Sequence, residues 1–277
     1  MAADRDVRGA ADRHAERLIG EPRGSLTVVG TGIELPGQLT LEARDALTRA
    51  DDVLYLVADP VAAAWLERLC PSARAFAYET GRPRREIYEL IVEEILSCVR
   101  TGRSVCAAFY GHPGVFVDPA HEAIERARSE GFEARMLPGI SAEDCLFADL
   151  GINPGRTGCQ SYEATDFLVN RRRVDTSAAL ILWQITVIGE QRAVERPSRE
   201  GIRILVERLL ADYRPQHEVT IYQASPYPVA DPIVRPLPLA ALPDAELPGL
   251  ATLYVPSARR ARRDRAMLAR LRLPSER

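Results

Sequence analysis

Apolar runs alternate with stretches of helical period along the first half of this chain. Ser25 to Val29 predicts a strand and is followed at once by Gly30-Thr31-Gly32. Thr40 to Ala50 has the period of a helix, Val53 to Val57 reads as a second strand, and about Val61 to Leu69 as a second helix. Pro83 suits the first position of a long helix ending near Arg100, with Ile87, Leu90, Ile91, Ile95 and Val99 as its buried stripe. Ser104 to Phe109 is an apolar strand that runs into Tyr110-Gly111-His112-Pro113-Gly114. A helix from Pro119 to Glu130 and a strand from Glu133 to Leu137 complete the series. Such alternation predicts an α/β fold with a mostly parallel N-terminal sheet, whose ligands bind outside the carboxyl ends of the strands.

Past Pro138 the rhythm changes. A helix is expected from about Ala142 to Leu150 and another from Gly201 to Ala211. Strands are expected at Ala178 to Gln184, Glu218 to Gln223 and Ala251 to Val255, with Pro-rich turns before the last. These strands predict a second α/β domain with a mixed, partly antiparallel sheet. The expected organisation is a polar tail over residues 1–24, an N-terminal α/β domain over 25–138, a C-terminal α/β domain over 139–256 and an Arg-rich tail over 257–277. That tail holds eight Arg against one Asp and one Glu, about +6, which leaves about −9 for the rest of a chain of net charge −3. Its plain reading is a solvated helix with Met267, Leu268 and Leu271 docked on the body; the alternative is a surface for an acidic partner or a second subunit.

Composition narrows the classes. Hydrophobic content of 46% and charged content of 27% describe a globular chain. The small net charge gives no global reason to expect nucleic acid. Cys70, Cys98, Cys106, Cys145 and Cys159 form no CxxC pair and are odd in number, against a disulfide framework or a zinc ribbon. The first 24 residues are too polar for a secretory signal, and no stretch is long and apolar enough to span a bilayer. A cytoplasmic protein without a membrane partner is expected.

Three turns hold candidate chemistry. Gly30-Thr31-Gly32-Ile33-Glu34 permits a tight turn or close backbone approach, but lacks the full dinucleotide fingerprint, so a nicotinamide dehydrogenase is disfavoured. Tyr110 to Phe116 joins glycines to a phenol and a titratable imidazole after a buried strand. His14, His121 and His217 stand at no ligand-like spacing from His112, so no metal is expected. In Leu137-Pro138-Gly139-Ile140-Ser141-Ala142-Glu143-Asp144, Ser141 is a natural N-cap and the acids suit a helix N-terminus.

The order GTGIE, YGHPGVF and LPGISAEDCLFADLG resembles the tetrapyrrole methylase superfamily, whose members use S-adenosylmethionine (SAM) and include uroporphyrinogen methyltransferases and diphthine synthases. Within it, VVGTGIE, YGHPGVFVDP, EGFEARMLPGISAEDCLFADLGINP and Tyr162-Glu163-Ala164-Thr165-Asp166 resemble the borosin peptide α-N-methyltransferases of the omphalotin-precursor type, over about residues 25–256. The resemblance implies a two-domain fold with SAM in the cleft between the domains. For SAM it implies Tyr110, His112, Val115, Phe116, Ser141, Ala142, Tyr162, Ala164 and Gln184.

The resemblance also implies a phenol and guanidinium cluster, carried here by Tyr78, Arg84, Tyr88 and Tyr110, with Arg85 as a competitor for the Arg role. Ala75 stands where the family often adds another Tyr, which bears on peptide positioning. Arg84 and Tyr88 are i and i+4 on the predicted helix and share a face. An amide nitrogen is a poor nucleophile because its lone pair is delocalised into the carbonyl. A phenol near a guanidinium can serve as base, and further phenols can stabilise the developing oxyanion. Tyr78 is the expected base, with Tyr88 its rival, and Tyr88 and Tyr110 the expected carbonyl donors.

The chain's last residues are Arg- and Leu-rich rather than an apolar core, so the borosin resemblance implies a separate precursor peptide, and a homodimer as in the fused members. A small-molecule, tetrapyrrole-like methylase and a non-catalytic SAM- or peptide-binding module remain as alternatives.

Overall fold

The computed structural model describes residues 24–193 and 199–274. The polar tail expected over 1–24 lies, apart from Gly24, outside the described residues, as do His14 and residues 275–277. One compact unit runs through to Ala142 and takes in Pro226–Val229; the other comprises Glu143–Ser225 and the chain from Ala230 onward.

The first unit is built on five parallel strands: β1 (Ser25–Gly30), β2 (Asp52–Leu56), β3 (Ala73–Ala75), β4 (Ser104–Phe109) and β5 (Glu133–Met136). Their spatial order is β3-β2-β4-β1-β5. The helices are α1 (Leu41–Arg49), α2 (Pro60–Leu69), α3 (Arg84–Arg100) and α4 (Asp118–Ser129). Thr40 caps α1 by accepting from the Ala43 N–H at 3.1 Å, and Asp59 caps α2 through Val61 and Ala62 at 2.9 Å, with Pro60 supplying a helical φ. Strand alternation puts Val29, Val53, Tyr55, Cys106 and Ala108 in one core layer with Ala43, Leu47 and Leu66 of α1 and α2.

Connections from β1 lead toward the β2–β3 edge, and the connection from β4 leads to β5 at the opposite edge. The carboxyl ends of the neighbouring strands β1 and β4 therefore form a topological switch point, where open α/β sheets bind ligands. Both glycine turns read from the sequence leave from these two strands.

The second unit has a five-stranded mixed sheet, β6 (Cys159–Glu163), β7 (Ala179–Trp183), β8 (Glu218–Gln223), β9 (Ile233–Pro238) and β10 (Thr252–Val255), in the order β6-β7-β10-β8-β9. β6 and β7 are parallel and the other pairs antiparallel. Its described helices are α5 (Ala142–Asp149, which begins at the last residue of the first unit), α6 (Pro154–Thr157), α7 (Ala164–Val169), α8 (Arg199–Leu209) and α9 (Arg265–Arg270). Phe167, Leu180, Leu182, Ile202, Leu205, Ile221 and Leu253 belong to its core.

Three expectations need correction. Leu90 is 49% exposed, and the inward positions of α3 are instead Ile87, Ile91, Val92, Ile95, Leu96 and Val99. Pro83 precedes α3 as its N-cap rather than opening it, because its ψ of 130° is non-helical. In the Arg-rich tail a helix does form, but α9 has no buried residue, and Met267 and Leu271 are exposed rather than docked.

Candidate functional site

At the switch point the backbone of three turns comes into contact. Gly32 and Gly111 form a reciprocal bridge, with N–H to O distances of 3.2 and 2.9 Å, and the Thr31 N–H donates to the Phe109 carbonyl at 2.9 Å. A Cβ at Gly30 would overlap the Gly111 carbonyl oxygen and lie 2.8 Å from Pro113 Cδ. One at Gly139, after β5, would sit 3.0 Å from the same oxygen and 3.1 Å from Gly30 Cα. The glycines thus let the ends of β4, β1 and β5 pack on one another.

The turn after β4 continues as an apolar edge. Tyr110 leaves the strand with its N–H donating to the Leu56 carbonyl at 3.0 Å. Nδ1 of His112 accepts from the Gly114 N–H at 2.9 Å, so its proton resides on Nε2. Val115 and Phe116 are exposed, and Phe116 holds a left-handed φ of 57°, sparsely populated by residues with side chains. Ser141 is buried immediately before α5, and Ala142 is its first residue.

The phenol cluster forms at the start of α3. Tyr88 is half-buried, one helical turn beyond Arg84, and Tyr78 lies in the loop before the helix, 42% exposed. Burial pushes the Tyr88 phenol up; Tyr78 adds to this, Arg84 pulls it down, and Asp118 at the start of α4 raises it again. Nε of Arg84 is buried without a hydrogen-bond partner among the described residues, a costly state for a guanidinium N–H. Arg85 is exposed and acts on Glu89 instead. The structure thus gathers Tyr78, Arg84 and Tyr88, and adds Asp118, which sequence reasoning missed although it stands two residues after the glycine turn. The flank of the cluster is set by Arg126 of α4, which pairs with Glu89 at 2.7 Å and Glu93 at 3.1 Å of α3, and with Glu122.

In the second unit, Tyr162 and Gln184 stand at the carboxyl ends of the parallel pair β6 and β7, where Glu163 is in register with Trp183. Gln184 is left-handed, with φ 58° and ψ 35°, a second strained residue at a strand end. The Tyr162 ring lies 5.5 Å below the Arg172 guanidinium and 6.0 Å from Phe167. Glu163 caps α7, accepting from the Asp166 N–H at 2.7 Å. Ala164 is fully buried in the core of the second unit, with no exposed atom to meet a ligand, against the expectation that it contacts SAM. No group of His, Cys, Asp or Glu among the described residues is placed to hold a metal ion. No described helix is long and apolar enough to cross a membrane.

A doubly wound parallel sheet with glycine turns at its switch point, followed by a mixed α/β unit, defines the class. Residues 25–228 match the family model of the Tetrapyrrole (Corrin/Porphyrin) Methylases, and the chain belongs to that family. It is similar to a methyltransferase/ribosomally synthesized cyclic peptide gymnopeptides precursor of Gymnopus fusipes, 43% identical over 241 residues, covering 84% of this chain and 57% of the relative. It is 38% identical over 262 residues to a methyltransferase/ribosomally synthesized type I borosin cyclic peptide precursor of Serendipita vermifera subsp. bescii, covering 92% and 64%. The chain therefore spans about three fifths of the length of these curated relatives. Among solved structures, uroporphyrin-III-C-methyltransferase from Thermus thermophilus superposes with a TM-score of 0.61 at 23% identity, covering 92% of this chain and 98% of that one, and shares the fold.

Proposed function

We propose that this chain is a SAM-dependent methyltransferase that methylates backbone amide nitrogens of a peptide supplied as a separate polypeptide, and that it works as a homodimer. The observation that carries the reading is the Arg84 guanidinium, with its buried unpartnered Nε, set against the phenols of Tyr78 and Tyr88. Carbon methylation of a tetrapyrrole-like ring has no need of such a cluster; an amide has, because its proton must leave and its oxygen becomes negative.

The two phenols differ in a way that assigns roles. Burial holds the proton on Tyr88, and a negative charge on Tyr78 holds it there more firmly. Tyr88 is therefore the donor to the amide oxygen, and the more exposed Tyr78 is the base that takes the amide proton. Arg84 stabilises the negative charge passed between them. Tyr110 is a second donor, at the end of β4.

The residues fit SAM. An exposed Val115–Phe116 edge suits its apolar chain and ring faces, and Ser141 with the backbone around it suits its amino-acid head. His112 can offer Nε2–H, since its Nδ1 is engaged. Tyr162 and Gln184, at the ends of β6 and β7, are further proposed SAM contacts. When bound, SAM supplies a methyl group on a sulfonium, an electrophile that requires no metal.

The test is intact-mass spectrometry of a small polypeptide encoded beside this gene, mixed with the protein and SAM, with sedimentation reading the dimer. Whole methyl gains mapped to backbone amides are expected. Tyr78→Phe is expected to abolish them while SAM affinity stays near the parent value. Unchanged turnover in that variant removes Tyr78 as base. Methylation of a tetrapyrrole with none on any peptide overturns the reading.

A further inference from the structure

The short peptide unit that leads into the Val115–Phe116 edge is tied down on both sides. On one side the Gly114 N–H donates to His112 Nδ1 at 2.9 Å. On the other, Nε2 of His121, on α4, lies 3.0 Å from the Gly114 carbonyl oxygen. A carbonyl oxygen only accepts, so the proton of that bond sits on His121 Nε2. The Val115 N–H also donates to the His112 carbonyl, at 3.1 Å. Space is closed around Gly114: a Cβ there would lie 2.9 Å from Met136 Sδ and 3.2 Å from His112 Cε1. Two residues on, Phe116 is held at φ 57° with its ring exposed. A residue with a side chain stays in that region only when its surroundings over-determine it.

We propose that His121 is a positioning residue: by holding the Gly114 carbonyl from α4 it fixes the Val115–Phe116 edge in the conformation that receives SAM. The proposal rests on the reading that this edge meets SAM. The hydrogen bond of His121 to that edge runs through the Gly114 carbonyl. Nothing in the sequence pattern marks it, because its partner is a backbone oxygen seven residues away. The same bond ties α4 to the turn, and α4 also presents Asp118 to Tyr88, so the tie couples the edge to the helix that flanks the phenols.

The experiment is equilibrium binding of SAM to the full chain, without peptide, for the parent, His121→Ala and His121→Gln. Gln keeps an N–H donor at a reach close to that of Nε2. Loss of one partly exposed hydrogen bond is expected to weaken SAM binding by on the order of three- to tenfold in His121→Ala. His121→Gln is expected to recover most of it, and the KM for peptide is expected to stay in place. Parent-like affinity in His121→Ala overturns the proposal, as does a lower Tm with unchanged affinity, which marks a purely structural tie. Equal weakening in Ala and Gln variants overturns it too. A parent protein that binds no SAM removes the cofactor reading itself, and a parent that binds SAM but methylates no peptide leaves this test intact while removing the peptide reading.

Discussion

Replacing Arg84 by Met removes the charge that opposes the upward pressure on the Tyr88 phenol. Arg84 and Tyr88 are one turn apart on α3, which sets their Cβ atoms about 5–6 Å apart. At an effective dielectric near 20, unit charges at about 6 Å interact by about 3 kcal/mol. Both side chains are half-exposed, and solvent screening cuts this to about 1.5 kcal/mol. An energy of that size is about tenfold in rate when the negative charge developing on the amide oxygen is shared through the Tyr88 donor in the transition state. Met fills much of the same space, and because the buried Nε has no partner among the described residues, its removal breaks no hydrogen bond with them and leaves Tm unchanged or higher. The assay is the rate of methyl gain on peptide at saturating SAM, from neutral to alkaline pH. The expected result is about a tenfold loss that does not shrink as pH rises, because Tyr88 acts in its protonated form, with Arg84→Lys intermediate. A loss that disappears at alkaline pH, or no loss, refutes the reasoning.

Two further outcomes are read by stability. Tyr213 is 4% exposed and its hydroxyl has no hydrogen-bond partner among the described residues, so Tyr213→Phe is expected to be neutral or stabilising, by up to about 1–2 kcal/mol, in urea unfolding at neutral pH. Burial, with Asp212 and Asp175 nearby, pushes that phenol up to about 12, so the fold favours the protonated form and loses stability as pH rises from about 10. Tyr213→Phe is expected to lessen this alkaline decline, and an identical decline counts against it. Gly30→Ala forces a methyl onto the Gly111 carbonyl, and overpacking of this kind costs about 1–3 kcal/mol. Parent-like Tm and parent-like SAM binding in that variant contradict the packing of the three turns.

The parallel sheet was legible because each of its longer strands is an apolar run between a turn and a helix of clear period. β4 (Ser104–Phe109) matches its expected bounds for that reason, and β8 (Glu218–Gln223) of the mixed sheet also matches its own. The strands that sequence reasoning missed are edges or fragments. β6 reads Cys-Gln-Ser-Tyr-Glu, with no buried residue, and β9 contains Pro236 and Pro238, tolerated because an edge strand pairs on one side only. β3 has three residues, too few to show a period. Leu90 was misplaced because a helical stripe has two sides. Val92 and Leu96 filled the inward positions, and Leu90, between Glu89 and Ile91, turned outward.

The site was legible in a different sense. Gly30-Thr31-Gly32, the Tyr110 turn and the Pro138-Gly139 turn lie far apart along the chain, and each alone is only a place where the backbone bends. Strand order converts them into one feature: β4, β1 and β5 are neighbours, so their carboxyl ends must share one edge. Gly30 and Gly139 are then required by the backbone of another turn, as the overlap of a Gly30 Cβ with Gly111 shows, whereas Gly32 and Gly111 are required by their own positive φ. The phenol cluster obeys the same logic. Helical spacing gives Arg84 with Tyr88, but bringing Asp118 to Tyr88 requires α3 and α4 to lie side by side, which Arg126 secures through Glu89 and Glu93. Distances along the chain carry no trace of that pairing, so the residues that tune a site from a neighbouring helix are the ones a single sequence conceals.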